Sequence, residues 1–161
     1  MKSLRELYKI GRGPSSSHTM GPRRAAQIFL SEHRDAASFQ VTLYGSLAAT
    51  GKGHMTDAAI VDELKPVAPV EIVWKPSVFL PFHPNGMNFK SLDADKNVTG
   101  DWTVYSVGGG ALSEGKANGD RFDTSSNVYD LERLTDIQTW CEDKGRSYWE
   151  YVEMCEGESI W

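Results

Sequence analysis

The segment Gly13-Pro14-Ser15-Ser16-Ser17-His18-Thr19-Met20-Gly21-Pro22 packs four hydroxyls and one imidazole between two Gly-Pro pairs. The Gly-Pro pairs restrict the backbone and so fix where those groups point. Just ahead of a helix, such a segment makes an anion site. Early helical amides lack internal partners, and the helix dipole favours negative charge, so a carboxylate or phosphate suits it. The same residues also describe a Ser-rich capping loop with a solvated histidine, because Ser, Thr and Gly are common in turns. Composition alone leaves both readings open.

The second chemically suggestive stretch is Gly45-Ser46-Leu47-Ala48-Ala49-Thr50-Gly51-Lys52-Gly53-His54-Met55-Thr56-Asp57. It invites comparison with a phosphate-binding P-loop and fails on two counts. Five residues, not four, separate Gly45 from Gly51-Lys52, and Gly53 stands where a magnesium-ligating Ser or Thr belongs. The stretch does follow a predicted strand, so close approach of its backbone to a ligand fits. His54 and Asp57 are three apart. On a helical turn they would hydrogen-bond, orienting the imidazole for proton transfer or for a substrate carboxylate. An ordinary surface His-Asp pair has the same spacing.

Other chemistries find less support. Neither serine-bearing segment has the Gly-x-Ser-x-Gly form of a hydrolase nucleophile elbow. His18, His33, His54 and His83 show no zinc-ligand spacing. The two cysteines, Cys141 and Cys155, fit no zinc or Cys-x-x-Cys pattern and read as free, partly buried thiols. Two cysteines cannot supply the three or four thiolates that hold an iron–sulfur cluster.

These groups must be positioned by a modest scaffold. Residues 22–34 read as a first helix, with Ala25 and Phe29 on one face and Pro22 in the first turn, capped upstream by Thr19 or Ser17. Residues 39–44 alternate apolar and polar as a half-buried strand. Residues 45–53 read as a small-residue loop, with a helical turn at 47–49, and residues 56–64 as a short helix ended by Pro66 and Pro69. Strands are predicted at 70–74, 88–92 and 102–107, with a turn at 97–101 and a break at Gly108-Gly109-Gly110. A polar surface loop at 113–127 leads to helices at 130–144 and 147–155, and Gly145 stands where a helix C-terminus wants a left-handed residue. This mixture without strict β-α-β alternation predicts an α+β fold. The 161 residues fit a single domain with one core.

Composition narrows the function. The apolar fraction is 40%, and 24% of residues are charged, as in an ordinary globular protein. A net charge of −5 without a long Lys/Arg run argues against nucleic-acid binding. No apolar stretch approaches the roughly 18 residues of a membrane span. Residues 1–7 lack a signal peptide's apolar middle, so a cytoplasmic location is expected. The apolar ending Ser159-Ile160-Trp161 suggests a piece of a longer chain or one subunit of a pair.

Taken together, the segments resemble the β domain of the iron–sulfur-dependent L-serine dehydratase (L-serine ammonia-lyase) family. The matching stretches run in order: residues 13–22, Tyr44-Gly45-Ser46-Leu47-Ala48 leading into Thr50-Gly51-Lys52-Gly53-His54 with Thr56-Asp57, then Asn85-Gly86-Met87, then Tyr105-Ser106-Val107-Gly108-Gly109-Gly110. The resemblance implies amino-acid catabolism that turns L-serine into pyruvate and ammonia, with a [4Fe–4S] cluster as Lewis acid and no pyridoxal phosphate. It implies a small mixed sheet with helices on one face, similar to the allosteric substrate-binding domain of phosphoglycerate dehydrogenase, and a homodimer. It assigns the cluster to an α domain or chain. That α part is this chain's expected partner, without which it is expected to be inactive. It points to His18 and His54 for proton handling or carboxylate binding. Ser15, Ser16, Ser17 and Thr19, with Lys52 and Asp57, then hold the substrate. The alternative is a regulatory module that binds serine or another small anion without catalysing anything.

Overall fold

Pro22, Ala25, Ala26 and Phe29 have the i, i+3, i+4, i+7 spacing of a one-sided helix. In the computed structural model, which describes residues 1, 3–7, 11, 13–116, 122 and 127–161, helix α1 spans Gly21–Glu32 and buries all four. The chain divides into two compact units, residues 10–123 and residues 1–9 with 124–161.

In the larger unit, strand β1 (Ser38–Tyr44) turns its alternate residues Phe39, Val41 and Leu43 into the core. Helices α2 (Gly45–Thr50) and α3 (Thr56–Leu64) carry the chain to β2 (Val70–Lys75), which lies parallel to β1. Strands β3 (Gly86–Leu92), β4 (Val98–Gly108) and β5 (Ala111–Ser113) add antiparallel neighbours, so the sheet order is β2-β1-β3-β4-β5. Met87, Phe89 and Val104 fall on the same face as Val41 and Leu43, and α1, α2 and α3 supply the other side of the core. The architecture is the expected α+β one, a small mixed sheet with helices against one face. Phe29 sits at its centre, with ring centroids 5.5 Å from Phe89, 6.2 Å from Phe39 and 6.3 Å from Trp102. Burying a side chain of this size stabilises a fold by about 1.5–3 kcal/mol.

The opposite sheet face is polar. Gln40 reaches Glu71, and Asn88 Nδ2 donates to Asp101 Oδ1 and Thr103 Oγ1. Three local expectations shift. Residues 45–50 are helix, not loop. The turn expected at 97–101 lies at 93–97, where Asp93 Oδ1 accepts the amides of Asp95 and Asn97, and β4 therefore starts at Val98. Gly108, Gly109 and Gly110, all at positive φ, form a tight turn into the unforeseen β5. The expected surface loop at 113–127 lies partly outside the described residues.

In the smaller unit, α4 (Leu134–Lys144) and α5 (Tyr148–Glu156) pack Ile137, Cys141 and Tyr151 against Tyr129. α4 begins four residues after its predicted start at Asp130. Gly145 adopts the expected left-handed conformation (φ 60°), and Arg146 N donates to Cys141 O at 2.9 Å. Ser147 and Glu150 form a capping box at the start of α5. Glu156 gathers Ser3 Oγ (2.6 Å), Leu4 N (2.7 Å) and Tyr129 OH (2.7 Å). Among the described residues no helix is long and apolar enough to cross a membrane.

Candidate active site

Strand register brings four distant stretches to one end of the sheet. Leu43 pairs with Met87, Tyr44 with Lys75, and Gly86 with Tyr105. The ends of β1, β2 and β4 therefore meet the start of β3. Asn85 and Ser106 exchange contacts there: Ser106 N donates to Asn85 O at 3.0 Å, and Asn85 Nδ2 donates to Ser106 O at 3.2 Å. The segment 13–22 lies against the same end, where a Cβ on Gly21 would run into Ser106 Oγ.

That segment is not the open loop the sequence suggested. Residues Ser16–Met20 form a π-helical turn that runs directly into α1. Single π turns in proteins are frequent at functional sites. Ser15 is the N-cap: its Oγ accepts from His18 N at 3.1 Å, and its carbonyl accepts from Thr19 N and Met20 N. Gly13, at φ 116°, has Thr19 where a Cβ would go. Pro22 then falls inside a helical run that began at Ser16. Lacking an N–H, it leaves His18 O, four residues back, without the usual partner. Thr56, fully buried at the start of α3, donates Oγ1 to that carbonyl at 2.5 Å. Thr19 returns the contact, its Oγ1 donating to His54 O at 2.8 Å. Each histidine's backbone is thus held by a threonine from the other segment.

The imidazoles face each other with centroids 4.9 Å apart. His18 Nδ1 lies 2.9 Å from Ser17 Oγ and Nε2 lies 3.1 Å from Ser46 Oγ, so both nitrogens are engaged. His54 Nδ1 lies 3.0 Å from Thr50 O. A carbonyl only accepts, so Nδ1 carries the proton and Nε2 of neutral His54 is a bare acceptor. Burial pushes the His18 pKa below the ordinary imidazole value. The neighbouring His54 adds to that shift, and a hydrogen bond to the Ser46 backbone offsets part of it.

The remaining predicted residues are placed differently. Asp57 does not bond His54. Its Oδ1 accepts from Ala58 N at 2.9 Å in the first turn of α3. Met55, between them, sits at φ 57° and breaks the helical turn on which the His-Asp spacing depended. Exposed Lys52 extends over the Trp74 ring, 5.7 Å from its centroid. The hydroxyls do not converge on one point: Ser15 caps the helix, Ser17 meets His18, Thr19 meets His54 O, and Ser16 is exposed. Ser46 and Thr56, absent from the sequence-based set, complete the constellation. Ser46 was detectable through Gly45, whose φ of 46° makes the abrupt strand-to-helix turn that presents Ser46 at the sheet end.

The segments that build this end are also the ones that match known proteins. The family model described as serine dehydratase beta chain matches residues 3–75 and 63–117. The chain belongs to this family. It is 29% identical to the L-serine dehydratase of Haemophilus influenzae over 186 residues, covering 90% of this chain and 41% of that protein. To L-serine dehydratase 2 of Escherichia coli it is 32% identical over 188 residues, covering 91% of this chain and 41% of the relative. To the L-serine dehydratase of Mycobacterium tuberculosis it is 35% identical over 156 residues, covering 73% and 34% respectively. The chain therefore spans about two fifths or less of the length of these curated relatives.

The cluster implied by the resemblance does not fit the donors present. Cys141 and Cys155 are the chain's two cysteines, and Cys141 is buried in the apolar core of the smaller unit. A cluster takes three or four thiolates. Among the described residues, no three His, Cys, Asp or Glu side chains are grouped to hold a metal ion.

Proposed function

We propose that this chain is the β part of an iron–sulfur L-serine dehydratase that converts L-serine to pyruvate and ammonia, with the cluster carried by the α part. One observation carries the reading. The paired His18 and His54, braced by Thr19 and Thr56, lie within the residues that match the family. Such a pair forms one wall of a composite site in a cytoplasmic, homodimeric enzyme.

In this reading His54 Nε2, unprotonated and without a protein partner among the described residues, takes the α proton of serine. His18, kept neutral by its lowered pKa, links Ser17 and Ser46 and holds the position of its neighbour. The substrate carboxylate is held by Ser16 and by the Ser15 hydroxyl, which accepts from His18 N and keeps its own hydrogen free to donate. Ser17 and Thr19 fix the two histidines, while Lys52 and Asp57 set the charge around them.

The test is to reconstitute the assembled enzyme with His54→Ala and, separately, Ser16→Ala. Loss of turnover with the first and a raised KM with the second support the reading. Unchanged turnover and KM in both overturn it. If in addition the isolated chain binds L-serine tightly by calorimetry, a non-catalytic serine-sensing module replaces it.

A further inference from the structure

The loop at residues 76–84 joins β2 to β3 at the same end of the sheet as the histidine pair. Residues 76–82 carry no charged side chain. Among the described residues of the larger unit, Phe79 and Phe82 are the exposed aromatics, at 64% and 51%, with Val78 beside them at 45%. An exposed cluster of this kind marks an interaction surface.

The loop is held in place. Val78 N donates to Lys75 O, Gly45 N donates to Val78 O at 2.9 Å, and Ser46 N donates to Pro84 O at 3.0 Å. Leu80 packs where Gly86 has no side chain, and the Phe82 ring lies 5.1 Å from that of Tyr105. Pro76, Pro81 and Pro84 narrow the backbone further. Aromatic side chains presented on a pre-organised backbone are what strong binding sites use, since little freedom is lost on association.

We infer that Phe79 and Phe82 are the anchors on which the α part of the enzyme docks. The inference rests on the function proposed above. Two observations choose this occupant over a second copy of the chain. The loop receives the Gly45 and Ser46 amides, and Ser46 Oγ touches His18 Nε2, so whatever covers the loop closes over the histidine end. The matched relatives also carry more than half of their length outside the match, which leaves room for an α part of the size the proposed function needs.

Phe79→p-benzoylphenylalanine and Val98→p-benzoylphenylalanine, each in the chain co-expressed with its α part, test this by photo-crosslinking. Val98 is also exposed, at 51%, but lies at the far end of the sheet. The expected result is an adduct between position 79 and an α-part peptide, identified by mass spectrometry, and none from position 98. An adduct to a second copy of this chain, no adduct, or equal labelling from both positions overturns it. In parallel, Phe79→Asp should weaken association of the purified parts roughly 30-fold or more, as expected of a hot-spot residue, with the isolated chain's melting unchanged. Unchanged association overturns the docking assignment. His54→Ala separates the two readings: it should abolish turnover while leaving association intact. If it leaves turnover intact while Phe79→Asp disrupts assembly, the catalytic reading fails and the docking surface stands.

Discussion

His18 and His54 are the same side chain 4.9 Å apart, yet their segments hold them in opposite ways. His18 rides on a π turn fused to a long helix, with both ring nitrogens against serine hydroxyls. His54 stands on a short turn before α3, next to a non-glycine residue at positive φ, with one nitrogen tied to the backbone. The first arrangement restrains an imidazole, and the second leaves one ring nitrogen without a protein partner among the described residues. In the proposed function, the division of roles between the two histidines follows from that asymmetry.

The comparison breaks most sharply in turnover. His54→Ala in the assembled enzyme is expected to lower kcat by about 10²- to 10⁴-fold, the usual contribution of a positioned general base. His18→Ala, which removes a supporting imidazole, should cost less. Steady-state rates with L-serine for both variants decide it, and equal losses would mean that the two histidines act as one unit.

A smaller effect separates the two braces. Thr56→Val removes the side-chain donor to His18 O, a carbonyl to which Pro22 offers no N–H. Stranding a buried polar group costs about 1–3 kcal/mol. Thr19→Val removes one ordinary bond to His54 O and should cost about 0.5–1.5 kcal/mol. Urea denaturation of the two variants measures the difference. If Thr19→Val proves the more damaging, Pro22 is not what makes the Thr56 contact necessary.

Much of this frame is legible in the residues. The helix predicted at 56–64 is α3, and the alternation at 39–44 is most of β1. What escapes is local and has physical causes. Pro22 suits a first helical turn, so sequence rules start α1 there. The wider π turn admits Pro22 deeper in the run, and the helical stretch begins at Ser16. The spacing of His54 and Asp57 implies a contact only if the backbone between them is helical, and Met55 in the left-handed region is not. The cross-braces by Thr19 and Thr56 depend on tertiary placement of segments more than 30 residues apart, which no spacing rule reaches.

The asymmetry also has a pH signature. His18 has a folded pKa lowered by burial and by His54, so between the folded value and the unfolded one of about 6.5 the unfolded chain binds more protons. Its contribution to stability is full above pH 6.5 and is lost as pH falls below it. His18→Gln should therefore flatten the fall in melting temperature between about pH 7.5 and 5. A histidine-ring NMR titration should place the His18 midpoint below the ordinary imidazole value. A midpoint at or above that value would show that burial does not govern this ring.

The smallest expected effect lies at Met55. A non-glycine residue at φ 57° carries a left-handed backbone penalty of roughly 1–2 kcal/mol. Its side chain is 53% exposed, so little packing is lost on removing it. Glycine adopts this conformation without a Cβ clash but loses more freedom on folding. Met55→Gly should accordingly stabilise the chain by no more than about 0.5–1 kcal/mol, read as a rise in the urea midpoint. The informative part is what happens to His54. If the strained turn sets the direction of its free nitrogen, the more stable variant should lose turnover because the turn gains freedom. If both stability and turnover rise, the left-handed Met55 is not what aims the imidazole, and the Thr50 carbonyl on its ring and the Thr19 brace on its backbone position it.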